Sequence, residues 1–64
     1  MTKRVVRIEK VAKNRVFVEY EDGSAAIFDL MQLLGGQRVY FVTLLDRNGR
    51  IIGWHIIPAE LSYR

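Results

Sequence analysis

The side chains able to do chemistry are few and scattered. His55 is the one imidazole, set between Trp54 and Ile56, where an apolar alternation suits a packed or interface histidine better than a general base. Ser24 falls in an Asp-Gly-Ser turn and Ser62 near the end of the sequence, and neither has the Gly-x-Ser-x-Gly surround of a nucleophile elbow. Glu19 and Glu21 alternate on one strand face beside Asp22. Such carboxylates can serve as paired acid and base, yet at a strand end they read as a solvated edge. Gly35-Gly36 lacks the Lys and Ser/Thr that follow a phosphate-cradling loop, and it closes an element instead of opening a helix. With no cysteine and a single histidine there is no tetrahedral zinc set. The expectation is a protein without catalytic residues, metal or cofactor, with no small-molecule substrate evident.

Recognition is the chemistry that remains. Arg4, Arg7, Lys13 and Arg15 cluster early in the chain, with Phe17 on the same alternating face as Arg15. A cationic strand surface with one stacking ring is how small β modules hold nucleic acid. A strand rich in Arg and Lys also serves as an edge protected against aggregation, and that reading stays open. Ten Lys and Arg against seven Asp and Glu give a net charge of +3. The stretch from Glu21 to Leu34 has three acidic residues and no basic one, so the field is dipolar and favours steering over generic adhesion.

These residues need elements to position them. Sixty-four residues suffice for one small domain, residues 1–64, because a second unit would fall below the size that buries a core unaided. Val5, Val6, Ile8 and Val11 among charges predict a strand from Arg4 to Val11, and Val16, Val18 and Tyr20 in alternation predict another from Arg15 to Tyr20. Glu21-Asp22-Gly23-Ser24 supplies a hairpin turn into a third strand, Ala25 to Phe28. Asp29 followed by Gln32 resembles a capping box, and Leu30, Leu33 and Leu34 share a helical face, which predicts a short helix ended by Gly35-Gly36. Arg38 to Leu45 and Arg50 to Ile57 then form a hairpin about Asp46-Arg47-Asn48-Gly49, with Pro58 ending it and Ala59 to Leu61 making a final helical turn. The predicted class is α+β: a five-stranded antiparallel sheet or small barrel, ordered β-β-β-α-β-β. Charged alternation in place of an unbroken apolar run predicts no membrane span and a cytoplasmic setting.

A hydrophobic share of 50% is high for this length and points to an apolar surface shared with a partner. The second hairpin is apolar on both alternating faces. One helix of about six residues, at roughly 1.5 Å of rise per residue, cannot cover a five-stranded sheet. Tyr40, Val42, Ile52, Trp54 and Ile56 are therefore the expected protein interface, used by a second copy or by another protein.

Two resemblances attach to these residues. Val18-Glu19-Tyr20-Glu21-Asp22-Gly23-Ser24, then Phe28-Asp29-Leu30 and Leu33-Leu34, with Phe41 through Asp46, Gly49, Ile52, Trp54, Pro58 and Leu61, resemble the bacterial domain-of-unknown-function family 2442. That resemblance implies an α+β module without known catalysis, often a small partner of a toxin-like protein. More narrowly, Asp46 to Ile52 and Ile57-Pro58-Ala59-Glu60-Leu61 are similar to the swapped-hairpin regulators and antitoxins that bind DNA as dimers. The function expected is a non-enzymatic binding module acting by protein contact, regulatory or antitoxin-like. The alternative is a small basic nucleic-acid-binding protein that uses its N-terminal strands.

Overall fold

The computed structural model describes residues 3–59, which fold into one sheet of five antiparallel strands in chain order. These are β1 (Val5–Ala12), β2 (Arg15–Tyr20), β3 (Ala25–Gln32), β4 (Arg38–Leu45) and β5 (Ile51–Pro58). Among the described residues β1 pairs only with β2 and β5 only with β4. The sheet is therefore open, and the barrel alternative, which needs those two edges to meet, is not adopted.

Tight turns impose the meander. Between β2 and β3, the Tyr20 amide donates to the Ser24 carbonyl at 2.9 Å and the Gly23 amide to the Tyr20 carbonyl at 3.0 Å. Gly23 takes φ +90° there, a conformation that side chains resist. Between β4 and β5, Asp46 Oδ1 accepts from the amides of Asn48 and Arg50 at 2.9 Å each, the Asx pattern that makes Asp-x-Asn-Gly a turn.

The expected α+β class is corrected to all-β, with no helix among the described residues. Asp29 to Gln32, read as the opening of a helix, is the second half of β3, paired Asp29↔Phe41, Leu30↔Tyr40, Met31↔Val39 and Gln32↔Arg38. A helix of about six residues carries the full cost of nucleation for few hydrogen bonds, whereas the extended segment gains a ladder along β4. The Asp29 carboxylate, expected to cap helix amides, instead accepts from Arg15 Nε across the β2–β3 pair at 2.7 Å. Leu33 to Gln37 is a turn, closed by a 2.7 Å bond from the Leu33 amide to the Gln37 carbonyl. Of the expected final helical turn, Ala59 donates its amide to the Arg38 carbonyl at 3.0 Å, continuing the edge pairing of β5. Glu60 and Leu61 lie outside the described residues.

Residues opposite one another in an antiparallel pair point to the same side, so the registers define two faces. On one, here the groove face, Ile8 and Lys10 of β1 stand beside Val18 and Val16, followed by Ala26, Phe28 and Leu30, then Leu44, Val42 and Tyr40, then Gly53, His55 and Ile57. The other, here the ion-pair face, carries Arg7 and Glu9, then Glu19, Phe17 and Arg15, then Ala25, Ile27 and Asp29, with Thr43, Phe41, Trp54 and Ile56 beyond. Three bulges interrupt the alternation: Val6 and Val11 are extra in β1, and Ile52 is extra in β5.

The core is thin. Val18, Ala26 and Val42 are buried on the groove face, and Ala25 and Val39 on the other. All five are small, and all lie in the central strands β2, β3 and β4. Domains ordinarily pack a second layer against a sheet; the described residues supply one layer. Large apolar side chains at both edges stand in the open, among them Ile8 at 67%, Trp54 at 58% and Ile56 at 64% exposed.

Candidate protein-binding surface

A shallow apolar depression lies on the groove face. Ile8 of β1, Val16 and Val18 of β2, Phe28 of β3 and Tyr40 of β4 line an apolar groove of about 270 Å³. Its floor follows from register: Val18 stands opposite both Ile8 and Ala26, and Phe28 opposite both Val16 and Val42. Ala26, 0% exposed, lies beneath this surface and does not line it; Phe28 and Tyr40 flank the depression. Those two rings meet edge to face, 6.2 Å between centroids at 81°, a geometry that fixes both orientations.

The groove continues into a polar end. Lys10, Lys13, Asn14 and Leu30 surround an adjoining depression of about 280 Å³ that shares Val16 and Tyr40 with the first. The Leu30 amide donates to the Asn14 carbonyl at 2.8 Å, which ties the β1–β2 turn to β3 and holds Lys13 at that end. Lys10 and Lys13 have no carboxylate partner among the described residues. An apolar trough with two uncompensated ammonium groups at one end suits an amphipathic, acidic ligand.

The opposite face treats its cations differently. Arg7 Nε donates to Glu19 Oε1 at 3.2 Å, an Arg7 Nη lies 3.5 Å from Glu9, and the guanidinium sits 5.4 Å from the Phe17 ring centroid. Arg15 is held by Asp29, and Arg4 lies 3.7 Å from Glu21. The expected nucleic-acid residues are thus partly assembled: Arg7, Arg15 and Phe17 share a face, Arg4 sits beside Glu21, and Lys13 belongs to the groove. Three arginines face four carboxylates, Glu9, Glu19, Glu21 and Asp29, so the local sum is one negative charge.

The expected interface residues also divide. Tyr40 and Val42 are on the groove face, with Val42 only 4% exposed beneath its neighbours. Trp54 and Ile56 project from the other face, and Ile52 is the bulge residue. Sequence reasoning missed Ile8, Lys10, Val16 and Phe28 as parts of one surface. The spacing Ile8-x-Lys10 against Val16-x-Val18 holds the signal, which emerges once the two bulges of β1 fix which residues stand opposite.

His55 stands opposite Val42 at the exposed edge, and no carboxylate of the described residues accepts a hydrogen bond from it. Ser24 is 8% exposed, and its hydroxyl bonds Asp22 while accepting from Lys3 Nζ at 3.0 Å. This contact fixes the turn: the Ser24 hydroxyl and amide, with Lys3 nearby, lower the Asp22 carboxyl from 3.8 to about 2. No cluster of three or more His, Cys, Asp or Glu able to hold a metal occurs among the described residues. Nor is any described helix long and apolar enough to cross a membrane. No family model, curated protein or solved structure matches the chain.

Proposed function

We propose that the protein is a non-enzymatic binding module that docks another polypeptide on the groove face, with regulation of that partner, in the manner of a small antitoxin-like protein, as its output. One observation carries this reading: among the described residues the sheet has no second layer and leaves an apolar groove open, and the groove ends at two lysines without carboxylate partners among those residues. The occupant that fits is an amphipathic segment whose apolar side chains fill the trough and whose carboxylates reach Lys10 and Lys13. A cytoplasmic setting belongs to the same proposal. The nucleic-acid alternative is weaker, because phosphates approaching Arg4, Arg7 and Arg15 meet the carboxylates already beside them.

The test is capture from native lysate on immobilised wild type, Tyr40→Asp and Lys10→Glu/Lys13→Glu, each with and without nuclease and followed by mass spectrometry. The proposal expects a set of proteins that survives nuclease and disappears with both groove variants, while circular dichroism shows the sheet intact. Capture that nuclease abolishes, or that both groove variants retain, overturns it.

A further inference from the structure

The open sheet has two edges built on opposite principles. β1 carries Arg7, Glu9 and Lys10 and is broken by bulges at Val6 and Val11. Charge and irregularity are the devices by which an edge refuses a further strand. β5 reads Ile-Ile-Gly-Trp-His-Ile-Ile-Pro without one Asp, Glu, Lys or Arg. Its bulge, Ile52, lies near its start, and Pro58, which cannot donate to a ladder, ends it. Between them Gly53 to Ile57 is regular, paired to β4 on one side and, among the described residues, without a strand on the other. Ile52, Trp54, Ile56 and Ile57 are 62, 58, 64 and 42% exposed. A long, exposed, uncharged edge of this kind is a template for strand addition.

Resting on the reading of the chain as a binding module, we propose that the occupant of this edge is β5 of a second copy, paired antiparallel about a two-fold axis normal to the sheet. Three features favour a second copy. The segment carries no Asp, Glu, Lys or Arg, so like meets like without opposed fixed charges. Its regular length is bounded identically on both copies, by a bulge and a proline. The contact is isologous, so it closes at the dimer and leaves the protected β1 edges outside.

Symmetry and length then select the register. An axis normal to the sheet keeps each face on its own side, so every residue pairs with one of the same parity. Centring on His55 uses all five rungs: Gly53 faces the partner's Ile57, Trp54 the partner's Ile56, and His55 the partner's His55. Two Trp–Ile cross-strand pairs form on the ion-pair face, an aromatic and β-branched pairing that stabilises sheets. The product is a continuous ten-stranded sheet with both grooves free.

The absence of native cysteine makes the test direct. In His55→Cys the two thiols stand on directly opposite rungs, where Cβ atoms lie about 4.5–5.5 Å apart, a short adjustment from disulfide geometry. Expected are a wild-type mass of about twice 7.5 kDa by multi-angle light scattering at micromolar concentration, and disulfide-linked dimer from His55→Cys under mild oxidant at least tenfold faster than from Asn48→Cys, at the β4–β5 turn tip. Ile56→Lys, a charge at an exposed edge position, should abolish the dimer. A wild-type mass of 7.5 kDa, or equal cross-linking rates for the two cysteine variants, overturns the inference whether or not Ile56→Lys folds. A monomer whose partner capture is still lost with Tyr40→Asp overturns the dimer alone. A dimer whose capture is unaffected by that change supports the dimer and overturns the groove reading.

Discussion

The β1–β2 hairpin and the β4–β5 hairpin have the same plan, an eight-residue edge strand against a more central neighbour, yet they are held by different chemistry. On the first, cross-strand and same-strand ion pairs join Arg7 to Glu19 and Glu9, with the Phe17 ring beneath the guanidinium. On the second, Phe41 faces Ile56, Thr43 faces Trp54 and Tyr40 faces Ile57, with no ion pair between the strands among the described residues. Exposed ion pairs contribute about 0–1 kcal/mol each, so the first hairpin's charges add little stability. What they provide is selectivity, since a charged and bulged edge rejects a strand that an apolar one accepts. Stability resides in the central strands β2, β3 and β4, where Val18, Ala26 and Val42 are buried.

The largest effect that sharpens this contrast is a charge placed first in the middle and then at the edge of the groove face. Val42 is 4% exposed and Ile8 67%. Val42→Asp buries an unpaired carboxylate at a cost of about 3–5 kcal/mol, comparable with the ~3–10 kcal/mol that holds a chain of this size together, and should unfold it. Ile8→Asp should stay within about 0.5 kcal/mol of wild type in urea denaturation while weakening capture of a groove ligand. Comparable destabilisation by the two changes would mean that the edge strand is as much core as the centre.

How far the sequence reveals this arrangement depends on the element. The five strands are legible because β-branched residues alternate and because Asp22-Gly23 and Asn48-Gly49 mark turns; the limits of the second and fourth strands agree to the residue. The helix was not, because Leu30, Leu33 and Leu34 satisfy a helical spacing that a short apolar run also satisfies by chance. Only the ladder to β4 decides between them. The faces were legible in part. Simple alternation sets Val5 with Arg7, but the bulge at Val6 puts Val5 opposite Tyr20 on the groove face and Arg7 opposite Glu19 on the other. The bulge at Ile52 separates that residue from Trp54 and Ile56 in the same way. Register slips by one residue change faces, and of the three the one at Ile52 redistributes the expected interface, leaving Trp54 opposite Thr43 and Ile56 opposite Phe41.

Next in size is a comparison of the two Gly turns. Gly23 and Gly49 take φ +90° and +82°, where an L side chain costs about 1–2 kcal/mol. A Cβ at Gly23 would also stand 3.2 Å from Arg47 Cβ, whereas one at Gly49 meets nothing within 4 Å. Gly23→Ala should therefore destabilise more than Gly49→Ala, by a margin read directly from urea midpoints. Equal midpoints would show that the approach of the β4–β5 turn to the β2–β3 turn is loose enough to yield.

The smallest expected effect lies in that same β2–β3 turn and depends on pH. Asp22 accepts from the hydroxyl and amide of Ser24 and lies 3.4 Å from Lys3, which together lower its carboxyl from 3.8 to about 2. Because the folded value is below the unfolded one, the unfolded chain binds more protons between them. The contribution is complete above pH 3.8 and is lost as pH falls through about 2. The Asp22 and Lys3 side chains are 45 and 53% exposed, so solvent and salt screen the gain and keep it small. Asp22→Asn should lower the urea midpoint slightly at neutral pH and flatten its fall between pH 4 and pH 2, whereas Asp46→Asn in the β4–β5 turn should leave the Asp22-dependent part of that fall in place. Carboxyl titration by NMR reads the cause directly: an Asp22 that titrates near 3.8 in the folded protein would remove the Ser24 hydrogen bonds as the source of the slope.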